Sequence, residues 1–151
     1  MNDSKNHLKN NAVKIFAGHQ NCSQSVLAAC MKEQGIAGKE ADMLLKSAIG
    51  FGGGMGHSGQ ACGAVSGGIM ALSLVMGYDG ADDTEKKALL YEKVERLVSD
   101  VRKRYGTVTC DGIKEAAETI PEIAGQNELE QDICCVDVVG FVADRVGQFL
   151  K

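Results

Sequence analysis

One segment of the chain has no charged side chain and is rich in glycine, and it restricts the folds open to this sequence. Between Ser47 and Tyr78 there is no Asp, Glu, Lys or Arg, and ten of the nineteen glycines lie there. Uncharged segments are favoured in protein interiors, and glycine permits tight turns and close backbone approach. The helical part, Ala61–Met76, is shorter than the ~20 residues a bilayer requires. We therefore expect a glycine loop (Gly50–Gly59) followed by a buried helix, and no membrane span.

The rest of the chain has the apolar spacing of α-helices. The clearest helix begins in the segment Asp82-Asp83-Thr84-Glu85, which supplies N-cap candidates and negative charge, and ends at Gly106. Its apolar stripe has intervals of three and four residues: Leu90, Val94, Leu97, Val98, Val101 and Tyr105. Further helices are predicted over residues 6–17, 21–33 and 39–48, after Cys110, and over 133–150. The pattern predicts an all-α fold: one compact domain, residues 1–151, with six or seven helices.

The net charge and the N-terminal segment limit the classes of partner and the compartment that we expect for this chain. Sixteen Lys and Arg against twenty Asp and Glu give a net charge of −4, which disfavours nucleic acid. The most basic run, Arg102-Lys103-Arg104, is typical of a helix C-terminus. The polar start, Met1–Asn11, lacks the apolar core of a signal peptide, so we expect a reducing cytoplasm. The Leu90–Tyr105 stripe can pack within the chain or against a second copy, which would make a homodimer.

The six cysteines differ in the roles that their sequence positions predict. Cys22 and Cys30 lie eight residues apart on one predicted helix, so their Cα atoms are about 12 Å apart, too far for a disulfide. Cys30 has apolar neighbours and is predicted to be a core residue. Cys62 directly follows the glycine loop at the start of a helix, where exposed N–H groups and the helix dipole favour a thiolate. Gly63 and Gly67 would let another helix approach closely.

Cys134 and Cys135 are adjacent in the sequence, which is unusual. Neighbours on a helix point about 100° apart, so one can face the core and the other the side. The Cys-x2-Cys spacing of zinc fingers and ferredoxin loops is absent, so any metal site must be assembled from distant helices. The glycine loop also lacks the Gly-Lys-Ser/Thr ending of a phosphate-binding loop, which disfavours a nucleotide site.

Several motifs together resemble a known family. The segment 62–67, Cys-Gly-Ala-Val-Ser-Gly, matches the CGAxxG motif of the C_GCAxxG_C_C family of redox-active proteins. The run 50–56 is similar to the glycine loop of that family. Residues 21–27, 105–110 and the Cys134-Cys135 region resemble its other three cysteine segments. The resemblance extends over nearly the whole chain.

The resemblance implies four site cysteines. Three of them are Cys22, Cys62 and Cys110. The fourth is Cys135, because the residues after it fit the final helix of the family better, with Cys134 as the alternative. The cofactor-binding residues expected around Cys62 are Gly53, Gly54, Gly56, His57 and Gly63. His57 departs from the family pattern, in which a basic or polar residue such as arginine is expected. His57 could act as a base or a ligand, or be a loop residue without a role.

The resemblance also implies redox activity, as an oxidoreductase or an electron carrier with an unidentified partner protein. In one version four thiolates hold an iron–sulfur cluster. In a second, no metal is bound and two thiols cycle with a disulfide, with Cys62 as the reactive one. In a third version, the four thiolates bind zinc, which has only a structural role and stabilises the packing of the helices. Covalent haem is not supported, since Cys-x-x-Cys-His is absent.

Overall fold

The computed structural model describes residues 7–80, 83–121 and 133–151, without the side chain of Ile133. It confirms the all-α prediction, and within those ranges no strand occurs. The predicted helix start at Asn6 and the acidic Asp82 lie outside the described residues. Among the described residues, seven helices are at least eight residues long: α1 (His7–Ala17), α2 (Cys22–Glu33), α3 (Gly38–Ala48), α4 (Gly63–Met76), α5 (Thr84–Tyr105), α6 (Cys110–Ala117) and α7 (Ile133–Phe149).

Helix α2 begins where its capping residue predicts. The Asn21 side chain accepts a hydrogen bond from the Gln24 N–H at 3.0 Å, and the Gln24 side chain accepts one from the Asn21 N–H at 3.3 Å. This capping box satisfies two N–H groups that a helix start leaves unpaired. The helix ends before Gly35, whose φ of 72° suits glycine. The Asn21 amide also donates to the Ile49 carbonyl at 2.8 Å, which ties α2 to the beginning of the glycine loop.

The core lies where α2, α4, α5 and α7 meet. Helix α2 packs against α1, α4 and α7, and α4 packs against α5 and α7. The largest fully buried side chains come from all four helices: Val26, Leu27, Leu72, Leu97, Val101, Val138, Val139, Val142 and Val146. The prediction that the uncharged helix is buried is therefore confirmed. In the part of the chain that the structure describes, no helix has the length and apolarity to cross a membrane.

Small residues let α4 approach its neighbours closely, as predicted. A methyl group added at Gly67 would overlap the Ser23 carbonyl and come within 2.8 Å of the Ser23 Cα. One added at Gly68 would lie 2.6 Å from Val142 on α7. Ser23 is fully buried, and its hydroxyl donates to the Ala48 carbonyl at 2.6 Å. Backbone therefore packs directly on backbone where α2 crosses α4.

Helix α5 confirms the predicted stripe and both predicted ends. Leu90, Leu97, Val101 and Tyr105 are buried, and Val94 and Val98 are half-buried. The Asp83 carboxylate accepts the Lys86 N–H at 3.1 Å, and Gly106 ends the helix with a φ of 77°. The glycine loop begins with a 3-10 turn at Ile49–Phe51. After it the chain turns through left-handed conformations, since Gly53, Gly54 and Met55 all have positive φ.

Candidate functional site

Two backbone hydrogen bonds place Cys62 beside the chain that leads into Cys110. The Cys62 N–H donates to the Val108 carbonyl at 2.9 Å, and the Cys110 N–H donates to the Gln60 carbonyl at 2.6 Å. Between them Ala61 and Thr109 form an isolated antiparallel bridge. Cys62 is the N-cap of α4 and only 4% exposed. Two cysteines that lie far apart in sequence are thus fixed next to each other by the main chain.

Cys22 reaches the same place from the first residue of α2. Its sulfur occupies the space that a side chain on Gly63 would need, since a methyl group there would overlap the Cys22 Sγ. The same methyl group would lie 2.7 Å from the Phe51 carbonyl. Glycine at this position therefore brings the Cys22 thiol against the first turn of α4, directly beside Cys62.

Gly54 plays the corresponding role for Cys110. Its φ of 69° lies in the left-handed region, which strains other residues. A methyl group there would come within 2.5 Å of the Cys110 Cβ and 2.8 Å of the Gln60 backbone. The Gln60 N–H also donates to the Gly54 carbonyl at 3.0 Å. The glycine loop therefore packs its backbone directly onto Cys110.

The other predicted cofactor-binding residues lie in the outer part of the loop. Gly53 has a φ of 66°, and a methyl group there would overlap the His57 ring. Gly56 has the same φ, and its N–H donates to the Gly52 carbonyl at 3.0 Å. His57 is exposed with a φ of 63°. Gly54 and Gly63 thus contact cysteines, Gly53 contacts His57, and a cofactor role for these residues stays a prediction.

In the metal-free protein, burial favours the protonated Cys62 thiol over the expected thiolate. Burial raises the pKa of Cys62 from 9.0 to about 11, and charges on Cys22 and Cys110 raise it further. Hydrogen bonds from the backbone at Val65 and Ala64 lower the pKa, as a helix start should, but they do not offset burial. The prediction from the helix dipole alone was wrong because it left out desolvation.

Cys110 connects this pair of thiols to the last helix. Burial raises the pKa of Cys110, Lys114 lowers it, and charges on Cys22, Asp111 and Cys134 raise it. Cys134 is therefore close enough to Cys110 for their charges to interact. The Sγ atoms of Cys134 and Cys135 are 4.0 Å apart, and both side chains are half-buried. The choice of Cys135 as the fourth site cysteine stays a prediction, and the electrostatic effect of Cys134 on Cys110 favours the alternative.

Sequence reasoning missed the two carbonyl groups that align these thiols, those of Gln60 and Val108. Each belongs to a residue two positions before a cysteine, in Gln60-Ala61-Cys62 and Val108-Thr109-Cys110. That shared spacing is the one signal that could have indicated the bridge. Within the described ranges, no group of three or more His, Cys, Asp or Glu side chains is arranged to hold a metal ion.

Cys30 lies outside this site, as predicted. It is fully buried in the core, and burial, followed by the charge of Glu33, raises its pKa from 9.0 to about 11. The folded protein therefore holds the Cys30 proton at pH values where the unfolded chain releases it. The contribution of the Cys30 thiol to the free energy of unfolding is fully present below about pH 9. It is lost as the pH rises towards 11.

We expect this loss to reach about 3 kcal/mol in total, since each pKa unit corresponds to about 1.4 kcal/mol. The free energy of unfolding, measured by urea titration under reducing conditions at several pH values, tests this. Cys30→Ala should be less stable than the natural protein below pH 9, and its stability should decline less steeply above pH 9. Equal slopes in the variant and the natural protein would contradict the assignment.

Comparison with known proteins identifies the same family as the sequence motifs do. The family model described as "Putative redox-active protein (C_GCAxxG_C_C)" matches residues 20–149. The matched range includes the glycine loop and all six cysteines. Neither a curated protein nor a solved structure matches the chain significantly.

Proposed function

The chain belongs to the C_GCAxxG_C_C family, and from this premise we propose that its cysteines form one electron-transferring centre. We call the set Cys22, Cys62, Cys110 and one member of the Cys134-Cys135 pair the cysteine centre. The observation that carries the proposal is the convergence of thiols from separate elements. Charges on Cys22 and Cys110 act on Cys62, and charges on Cys22 and Cys134 act on Cys110.

The first form of the proposal is an iron–sulfur centre with four thiolate ligands. Burial and neighbouring thiolates both oppose ionisation of Cys62, so several thiolates are stable together only around a cation. The backbone groups of Ala64 and Val65 already hydrogen-bond the Cys62 sulfur, and such bonds tune cluster potentials. A bound cluster would supply one-electron chemistry. The fourth ligand would be Cys135 or Cys134.

The second form uses the thiols alone. Cys62 is protonated and lies among other thiols, so forming a sulfur–sulfur bond would release two protons and two electrons to an acceptor and leave no buried charge. Cys110 is half-buried and therefore more accessible than Cys62; burial raises its pKa, and Lys114 partly offsets that increase. Cys110, rather than Cys62, is then the thiol that meets a disulfide or an acceptor on a partner protein.

Anaerobic purification of the full chain, followed by absorption spectroscopy and metal and thiol analysis, tests both forms. A coloured protein with iron and sulfide supports the cluster, and a metal-free protein with a titratable dithiol supports thiol exchange. A colourless protein that contains zinc would support a structural zinc site and would contradict electron transfer. Thiols that titrate independently in a metal-free protein would contradict a shared centre.

Single substitutions identify the members of the centre. Cys22→Ser, Cys62→Ser and Cys110→Ser should each lose most of the bound metal or the dithiol couple, because each removes one of the converging sulfurs. Cys30→Ala is the matched control and should keep it, since Cys30 is buried elsewhere in the core. Cys134→Ser and Cys135→Ser are compared with each other. The variant that loses more of the bound metal or of the dithiol couple identifies the fourth member of the cysteine centre.

A further inference from the structure

A charged cluster joins the end of α5 to α7. The Nη2 of Arg104 donates to both oxygens of the Asp137 carboxylate at 3.0 Å, and its Nε donates to Oδ2 at 3.3 Å. The Tyr105 hydroxyl also donates to Asp137 Oδ2. Tyr105 is 4% exposed, and burial together with Asp137 raises its pKa, so its hydroxyl stays protonated as a donor. Two side chains, Arg104 and Tyr105, thus converge on the Asp137 carboxylate.

Phe141, one turn after Asp137, completes the packing around this cluster. Its ring meets that of Tyr105 edge to face, with centroids 6.0 Å apart and planes at 89°. The Arg104 guanidinium lies 5.2 Å from the Phe141 centroid. The orientation of the Arg104 side chain is therefore fixed by two contacts: bidentate hydrogen bonds to Asp137 and packing against the face of the Phe141 ring.

The cluster is adjacent in sequence to both segments that carry thiols, since Tyr105 precedes Cys110 and Asp137 follows Cys134. On one side, Gly106 ends α5 next to Tyr105, and the chain runs through Val108, which accepts the Cys62 N–H, to Cys110. On the other, Asp137 follows Cys134 by three residues, so the two lie on one face of α7. The cluster therefore connects the segment that aligns Cys110 to the helix that carries Cys134.

We propose that Arg104, Tyr105 and Asp137 are positioning residues of the cysteine centre, which hold Cys134 in register with Cys110. The inference rests on the proposed function, in which Cys110 is part of that centre. The Arg104 and Asp137 side chains are 34% and 27% exposed, so water partly screens their charges and limits what the ion pair adds to stability. Their geometric effect on the thiols is therefore separable from their effect on folding.

The chain offers a matched control for this cluster. Arg145 Nε lies 3.3 Å from Asp100 Oδ2, and this pair also joins α5 to α7. Arg145 lies over the same Phe141 ring, at 5.6 Å from its centroid. The pair is farther along α7 from the cysteines than Asp137 is. Asp100→Asn thus removes a comparable link between the same helices without touching the segments that carry thiols.

The test compares Asp137→Asn with Asp100→Asn in the full-length protein. We measure the redox equilibrium of the centre against a dithiol buffer, and alkylation of Cys110 and Cys134 separately by mass spectrometry. Asp137→Asn should change the redox equilibrium constant roughly tenfold, which is about 30 mV for a two-electron couple. It should also raise alkylation of both thiols several-fold, whereas Asp100→Asn should match the natural protein.

Arg104→Lys keeps the charge but loses the two-pronged geometry, so it should shift both measurements in the same direction by a smaller amount. It also serves as the test if Asp137→Asn fails to fold. Unchanged potentials and alkylation rates in the cluster variants, or equal changes in Asp100→Asn, would overturn the proposal while leaving the centre intact. Absence of both a dithiol couple and a bound cluster in the natural protein would instead overturn the proposed function.

Discussion

Replacing Gly67 by alanine should destabilise the protein by about 3 kcal/mol, the upper end of the usual cost of overpacking a core. The added methyl group would overlap the Ser23 carbonyl and lie 2.8 Å from the Ser23 Cα. These are backbone atoms, so no side-chain rotation can relieve the contact. Ser23 is also held by its hydrogen bonds to the Ala48 carbonyl at 2.6 Å and to the Asn21 side chain at 2.8 Å. Relief therefore requires α2 to move away from α4.

Urea unfolding followed by circular dichroism measures this loss. Gly50→Ala is the matched control, because a methyl group there meets nothing within 4 Å and its φ is not positive. It should change stability by no more than about 0.5 kcal/mol, as surface substitutions generally do. Equal stability of the two variants would show that α2 and α4 do not cross as closely as described.

The helices could be predicted from the sequence because their signals are local. The capping pair Asn21 and Gln24, the stripe that ends at Tyr105 and the stop at Gly106 all act within a few residues of the helix ends they set. The close crossing at Gly67 was also predictable, since small residues one turn apart leave room for a neighbouring helix. Its partner, Ser23, could not be predicted, because it depends on how the helices are arranged.

The state of Cys62 shows why local signals are insufficient for the site. Its position at the start of α4 is visible in the sequence and lowers its pKa through backbone hydrogen bonds. Burial beneath the glycine loop and the Thr107–Thr109 segment has the larger, opposite effect, and it arises only from tertiary packing. The sign of the pKa shift is therefore decided by contacts between residues far apart in sequence.

Arg104 gives a second example from the same region. The sequence explains it as one of three cations that favour a helix C-terminus, and α5 does end with Arg102, Lys103 and Arg104. The structure adds a specific partner, Asp137, 33 residues away. No spacing rule links these positions, so the cluster that we propose to align Cys110 with Cys134 becomes visible only once α5 and α7 are placed together.

Replacing Gly63 by alanine should abolish the cysteine centre, with at least a roughly tenfold loss of bound metal or of the dithiol couple, since a displacement of about 1 Å is enough to disable a preorganised site. The added methyl group would overlap the Cys22 sulfur and lie 2.7 Å from the Phe51 carbonyl. Cys22 is half-buried at the start of α2, so its side chain can turn away without unfolding the helix. The centre should be lost while most of the helical structure is retained.

A double-mutant cycle with Cys22→Ala separates this steric effect from a general loss of stability. If the methyl group acts by displacing the Cys22 sulfur, Gly63→Ala should cost less stability in the Cys22→Ala background than in the natural protein, because the overlapping atom is gone. The contact with the Phe51 carbonyl remains in both backgrounds and cancels in the comparison. Additive costs, together with a Gly63→Ala protein that keeps its centre, would mean that Gly63 does not set the approach of Cys22 to Cys62.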